Sequence, residues 1–402
     1  MADTTAPGRR RRSTEGSTDS SIVAAARLVS KNEAAANADA VDRDSRFPTE
    51  AISALRDASA LSAAVPQSLG GAGASVHAIA QSCFELARGC SATAMVYAMH
   101  QIQVLTIAHH LGDAPWFENY LRDVAAEQRL IASVTSEVGT GGDMSRSIAA
   151  VTTTDRSGEL TFEKQAPTVS YGAHADDLLT TLRRSPEAEP GEQVLVLTRA
   201  GQAELEPAGT WDTLGMRGTC SPGFTVRARF APEQVLPTGF AEVMNQSMVP
   251  VSHILWSHVW LGIATEAFER ARAFIRAQAR SKGGETSTAA QRLSRVMGDL
   301  TLLRSEVASA TDEYVRVDSE DRERLMTMSS VLRFNNLKLA ASEQAPRVCA
   351  GALEVVGILG YKNDTPFSVG RHLRDALSAR LMVANERMHA TDAALLLIAK
   401  DV

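Results

Sequence analysis

Residues 374–392 read RDALSARLMVANERMHATD and carry two groups able to move protons, Glu386 and His389. They lie three positions apart, close to one helical turn, so a continuous helix would set them on one face. A histidine titrates near neutral pH, yet both residues are equally ordinary as solvated helix charges. His100, in VYAMHQIQ, is a further proton carrier on an otherwise apolar segment, where a hydrogen-bonded core histidine is the alternative. SEVGTGGD, residues 136–143, places three glycines within four positions, which lets backbone N–H groups approach a flat or anionic ligand. By itself it also reads as a tight loop after a strand. WDTLGMRGTCS (211–221) is a second glycine-rich segment beside a strand, and ALEVVGILGY (352–361) runs a helix into a glycine turn.

These groups need elements to position them. The chain has 402 residues, 44% hydrophobic and 22% charged, with a formal net charge of −6. That is globular composition without a basic domain, and aromatics at 5% give no base-stacking surface. Cys83, Cys90, Cys220 and Cys349 form no CxxC pair, so the expectation is a reduced, cytoplasmic protein with no metal centre. No apolar run reaches the roughly 20 residues of a membrane helix. RRRR at 9–12 is followed by no apolar stretch, so residues 1–20 are expected to be a disordered tail. Helical periodicity fills 21–130, with Pro48–Thr49 as a helix start and Gly112 as a stop. Short β-branched runs separated by Gly and Pro predict an antiparallel β domain over 131–240. Long amphipathic patterns return over 241–402 and predict a four-helix bundle. A strand–GxGxxG–helix unit, GxxxxGK[ST] and HExxH are all absent.

Taken in order, the motifs resemble those of the acyl-CoA dehydrogenase superfamily over about residues 25–400. SEVGTGGD is similar to the family's T-E-P-G-A-G-S-D, WDTLGMRGT to W-x-x-x-G-M-R-x-T, and ALEVVGILGY to A-V-Q-x-x-G-G-x-G-Y. RHLRDA (371–376) resembles the entry to the family's active-site helix. The resemblance implies an α+β fold of helical domain, β domain and helical bundle, FAD as cofactor, and a homotetramer or homodimer. It implies that Ser133, Thr135, Ser136, Gly141, Gly142 and Thr168 lie along the flavin. It further implies that Arg280, Glu354, Gly357 and Gly360 serve the cofactor's far end. Ala166 stands where a tryptophan usually covers the ring, so more open space is expected there. Gly142 replaces a serine, Gly283 a phenylalanine and Glu354 a glutamine.

The departures bear on chemistry. A family dehydrogenase needs a carboxylate within reach of the substrate Cα proton. The usual position for it is Val383 here, and the second known position is Ser252; neither accepts a proton. Glu386, one turn beyond Val383 on a continuous helix, is the candidate displaced base. The family's Asp-x-x-Arg thioester contact is replaced by Pro250 and His253, beside Trp256, His258 and Trp260. These are expected either to be core aromatics or to line a reshaped cavity in which His253 and Trp256 touch a cyclic or aromatic substrate. Three functions stay open: a flavin-dependent oxygenase of specialised metabolism assisted by His100 and served by a flavin reductase or another electron carrier; a thioester dehydrogenase using Glu386; and an inactive flavin-binding scaffold.

Overall fold

The computed structural model describes residues 8–154, 158–281 and 288–399. Six helices open the chain: α1 (Gly8–Val29), α2 (Ala35–Arg43), α3 (Thr49–Asp57), α4 (Val76–Gly89), α5 (Ser91–His110) and α6 (Pro115–Glu127). α1 runs back to Gly8, through much of the segment expected as a tail. Asp19 on this helix accepts hydrogen bonds from the Ser75 amide (2.9 Å) and hydroxyl (2.7 Å). The Ser75 Oγ in turn caps α4 by accepting from the Ala78 amide. α3 starts at Thr49 and α5 ends at His110, before Gly112 at φ +52°, as the sequence signals suggest. α5 is buried on every face. Some of its polar side chains are matched inside the core, whereas the Thr93 and Thr106 hydroxyls are buried without a partner. The Gln101 amide group donates to the Ala60 and Leu61 carbonyls, and its oxygen accepts from the Ala64 amide.

The middle of the chain forms two sheets. One has the order β1 (Ile131–Val134), β4 (Asp177–Arg183), β5 (Gln193–Arg199); the other runs β2 (Thr152–Thr153), β3 (Leu160–Ala166), β7 (Phe224–Phe230), β6 (Ala203–Pro207). The expected antiparallel pairing holds except at β1, which lies parallel to β4 with Ile131 opposite Asp177. A parallel neighbour needs a long crossover, and the excursion through β2 and β3 supplies it. β3 alternates faces and turns Phe162, Lys164 and Ala166 inward. Buried Lys164 donates to the Thr181 carbonyl (2.7 Å) and hydroxyl (2.9 Å) on β4, tying the two sheets together.

The last part holds α7 (Phe240–Val243), α8 (Val249–Ser281), α9 (Thr288–Glu320), α10 (Met328–Val356), α11 (Ile358–Tyr361), α12 (Gly370–Leu377) and α13 (Asn385–Leu396). α8, α9 and α10 pack on one another, and α12 and α13 form a fourth arm against α10. That arm is not the continuous helix expected for 374–392. α12 stops at Leu377, a 3₁₀ turn covers Ser378–Arg380, and the chain reverses through Val383 at φ +51° before α13 begins.

The three regions meet at Asp375. Its buried carboxylate accepts from the Met216 amide of the β region (2.7 Å) and from the Ser91 hydroxyl at the start of α5. Burial raises its pKa, while the nearby Arg371 and the two hydrogen bonds oppose that rise. The backbones are close here: a Cβ on Gly215 would come within 2.2 Å of the Arg374 carbonyl oxygen, and one on Gly218 within 2.2 Å of Val41. Arg374 beside it pairs with Asp42 on α2. Asp375→Asn keeps the volume but removes the charge that these donors and Arg371 face. The expected cost is roughly 2–4 kcal/mol of unfolding free energy in urea titration; an unchanged midpoint would show that the junction carries no such weight.

Candidate functional site

A cavity of about 590 Å³ opens where these regions meet. One wall is the glycine loop after β1, with Thr135, Ser136, Gly141 and Gly142; a second is Pro167–Thr168 after β3; a third is the 211–221 segment. Met95 and Met99 close it from α5, and the α12–α13 break closes it from the bundle with Leu377, Leu381–Ala384 and Arg387.

Each wall has a local cause. In the glycine loop, the buried Glu137 carboxylate accepts from the Ser147 hydroxyl (2.7 Å) and from the Ile148 (3.1 Å) and Ala149 (2.6 Å) amides. Lys164 lies 3.5 Å away, its pKa lowered to about 8 mainly by burial. Glu137 thus folds the loop back, with Gly139, Gly141 and Gly142 at φ +90°, +64° and +79°, where a Cβ is strained. Ser136 Oγ donates to the Thr168 carbonyl at 2.6 Å and joins the first wall to the second. Trp211 Nε1 donates to the Met216 carbonyl at 3.3 Å within the third.

Of the residues the sequence nominated for the flavin, Thr135, Ser136, Gly141, Gly142 and Thr168 come together on this cavity. Ser133 is half-buried within β1 and does not line it. Ala166 is 1% exposed: the strand alternation that turns it into the core also keeps it off the cavity, so the missing tryptophan opens no space there. Arg280 and Glu354 are exposed on α8 and α10, away from the cavity of the single chain. Gly357 ends α10 at φ +70°, ψ −140°, a conformation reserved for glycine. Gly360 packs where a Cβ would meet Val356 at 2.9 Å.

The nominated chemical groups fare differently. His100 is fully buried: its Nε2–H donates to the Leu61 carbonyl (2.7 Å) and its Nδ1 accepts from the Ile131 amide (3.1 Å). Burial lowers its pKa to about 4. Its two nitrogens pin α5 to the Leu61 segment and to β1, and neither reaches the cavity. His253 is also buried, donating to the Phe334 carbonyl at 3.0 Å, with its pKa lowered to about 3 by burial and by the Lys338 charge. Trp256 packs beside it at 6.0 Å between ring centres, so this cluster is core of the bundle rather than cavity wall.

Glu386 is exposed on the outer side of α13 and does not line the cavity. One-turn spacing from Val383 fails because Leu381–Ala384 is a turn, not helix. A β-branched residue at positive φ is held there only by its surroundings. Lys338, buried on α10, donates to the Val383 carbonyl (3.3 Å) and to Asn385 Oδ1 (2.6 Å); Asn385 Nδ2 donates to Ser342 Oγ (3.0 Å). This network fixes the reversal and carries Arg387, not Glu386, to the cavity. Arg387, Glu137 and Lys338 escaped the sequence reading. Glu137 had a signal, an acid inside a motif; Arg387 and Lys338 had none, because the break is not visible in the pattern.

The cavity's mix suits a flat ring with polar edges. Methionine and leucine side chains offer apolar faces, while Thr135 and Ser136 offer hydroxyls, and the Gly141 and Gly142 amides have no acceptor among the described residues. No Asp, Glu or His lines it among the described residues, none of which group into a metal-ion site. No described helix is long and apolar enough to cross a membrane.

Residues 17–128 match the acyl-CoA dehydrogenase N-terminal domain family and residues 239–391 the C-terminal domain family. The chain is 24% identical over 341 residues to the mitochondrial short-chain specific acyl-CoA dehydrogenase of Bos taurus, covering 84% of this chain and 79% of that protein. It is 25% identical over 356 residues to the amino sugar nitrososynthase DnmZ of Streptomyces peucetius, covering 85% and 84%. Its fold matches FMN-bound TdsC, a dibenzothiophene monooxygenase from Paenibacillus sp. A11-2, with a TM-score of 0.78 at 18% identity over 95% of this chain and 97% of that one.

Lys338 provides a test of the break. Burial, with Arg387 nearby, lowers its pKa to about 8 from the ordinary 10.5. Between these pH values the unfolded chain holds a proton that the folded chain has released, so Lys338 adds stability as pH rises. The unfolding free energy of wild type relative to Lys338→Met is therefore expected to climb from pH 7.5 to 10. A difference that stays flat over that range would contradict the burial of this amine.

Proposed function

We infer that this chain, which belongs to the acyl-CoA dehydrogenase family, works as a flavin-dependent oxygenase on a small metabolite of a specialised pathway. The observation that carries the reading is the cavity wall: among the described residues it offers no carboxylate and no imidazole. Removing a Cα proton from a thioester needs such a base within hydrogen-bonding reach. Val383 and Ser252 do not supply it, and Glu386 faces outward. Oxygen insertion makes no such demand. The kinship to a nitrososynthase and a monooxygenase supports the same reading, while the kinship to acyl-CoA dehydrogenases keeps thioester oxidation as the alternative.

When bound, reduced flavin supplies two electrons to dioxygen; with two protons, one oxygen atom enters the substrate and the other leaves as water. The protein's share is to bind, orient and exclude water. Thr135, Ser136 and Thr168, which line the cavity, would hold the edge of the ring with their polar groups. Met95, Met99 and Leu377 give the apolar surround that keeps bulk water from the reacting atoms. The electrons come from a substrate-independent donor, such as a flavin reductase.

The cofactor is a flavin, and we propose the dinucleotide, FAD, its adenosine end reaching Arg280, Glu354 and Gly357–Gly360 of a second copy. Exposed Ile358 (70%) and Tyr361 (72%) beside those glycines support a homo-oligomer, a tetramer or dimer, that covers them. Four free cysteines fit a cytoplasmic setting. Flavin released by heat from the purified protein is expected to run as FAD in chromatography; FMN would overturn the dinucleotide reading.

The oxygenase reading is tested by mixing photoreduced protein with oxygen in stopped flow. An absorbing transient that precedes return of oxidised flavin is expected, and its lifetime should be unchanged in Glu386→Gln. Anaerobic bleaching of the oxidised flavin by an acyl-CoA, lost in Glu386→Gln, would overturn the reading in favour of the dehydrogenase.

A further inference from the structure

α12 and α13 are held in opposite ways. α12 is locked through the Asp375 carboxylate to the β region and to α5. α13 buries Asn385, Met388 and Asp392, a single stripe of which Met388 alone is apolar. It packs on α10, and the bonds between the two helices are polar. Asn335 Nδ2 donates to Asp392 Oδ1 (2.6 Å), Lys338 Nζ to Asn385 Oδ1 (2.6 Å), and Asn385 Nδ2 to Ser342 Oγ (3.0 Å). Little apolar area returns to water when α13 leaves α10, so the hydrophobic resistance to that step is small.

Two of the docked groups regain solvent in the same step. Asp392 Oδ2 is buried without a partner. Burial raises the pKa of this carboxyl, against the Asn335 bond and the nearby His389. The Lys338 amine is buried deeply enough that its pKa falls to about 8. Rehydration of both opposes docking. The joint between α12 and α13 is strained as well: β-branched Val383 stands at φ +51°, and Ala384 follows at φ −10°, ψ 113°.

One contact closes the arm at its front. Arg387, on the first turn of α13, donates to the Gly142 carbonyl. The two residues belong to different walls of the cavity, the arm and the glycine loop, and Met382–Ala384 lie in the same wall as Arg387. A ligand that passes between loop and arm must part this contact.

We propose that α13, hinged at Leu381–Ala384, is a gate on the cavity, and that the contact of Arg387 with the Gly142 carbonyl is its latch. The arm swings off α10 while α12 stays locked. The gate goes beyond the oxygenase reading and does not depend on it, since an arm that covers the cavity admits whatever ligand the cavity takes.

Two readouts test it. Met99→Cys in Cys220→Ser protein places a reporter thiol on the α5 wall, the other cysteines being buried. Its labelling by a fluorescein maleimide, a probe of flavin size, is followed with time. Arg387→Gln, which releases the latch, is expected to speed labelling about tenfold. Asn335→Ala, which cuts the bond to Asp392 on the α10 side, is expected to speed it about threefold or more. Hydrogen exchange of the assembled protein, read by mass spectrometry, needs no reporter. Amides of 385–396 are expected to exchange about tenfold or more faster than those of α5 and α10. Asn335→Ala should speed 385–396 further and leave 370–377 at the wild-type rate. An α13 that exchanges no faster than α10 overturns the proposal, as does labelling that neither variant accelerates. Acceleration by Arg387→Gln alone would mean that the guanidinium merely blocks the mouth, and by Asn335→Ala alone that it latches nothing; either result overturns the gate. Both readouts are made on flavin-free protein, so a chain that takes no flavin defeats the oxygenase reading and leaves this test intact.

Discussion

The carboxylate of Asp375 is the point on which the architecture turns. It sits where an N-terminal helix, a loop of the β region and the last arm of the bundle come within hydrogen-bonding distance, and it accepts from the first two while belonging to the third. A buried acceptor left without those donors, or donors left without it, would carry an unmet desolvation cost. The three regions are thus locked to one another rather than merely adjacent. The glycines of the GMRG segment follow from the same constraint: any side chain at Gly215 would collide with the backbone of Arg374.

With that junction fixed, the bundle's last arm still has to end somewhere, and where it ends decides the chemistry. Lys338 and Asn385 hold the chain in a reversal that a β-branched Val383 would not adopt alone. The reversal moves Glu386 outward and Arg387 inward, so the cavity acquires a cation and no base. An intact helix would present a different residue set from the same letters. The absence of a carboxylate from the cavity thus follows from the turn at Leu381–Ala384 together with the side chains at Val383 and Ser252, not from the fold.

The buried polar groups divide along the same line. His100, His253 and Gln101 satisfy backbone groups inside the core, and Lys164 with Glu137 ties the sheets to the glycine loop. None of the five side chains lines the cavity. Their cost of burial is offset by hydrogen bonds that fix where the walls stand. Positioning and chemistry are therefore separate tasks, assigned to different residues.

Local signals sufficed for the order of the regions and for the helix limits at Thr49 and Gly112, because periodicity and glycine act over a few residues; that Ser136, Gly141, Gly142 and Thr168 share one site came from the resemblance of whole motifs to the family. Register with distant partners did not show in the letters. The parallel pairing of β1 with β4, the helix reaching back through Asp19, and the inward turn of Ala166 each depend on contacts made far along the chain. The same holds for His100, whose two partners, Leu61 and Ile131, lie 39 and 31 residues away, and for Glu386 against Arg387. Which of two neighbouring side chains faces the cavity is set by a lysine 45 residues from the carbonyl it holds, and only the folded chain brings those atoms together.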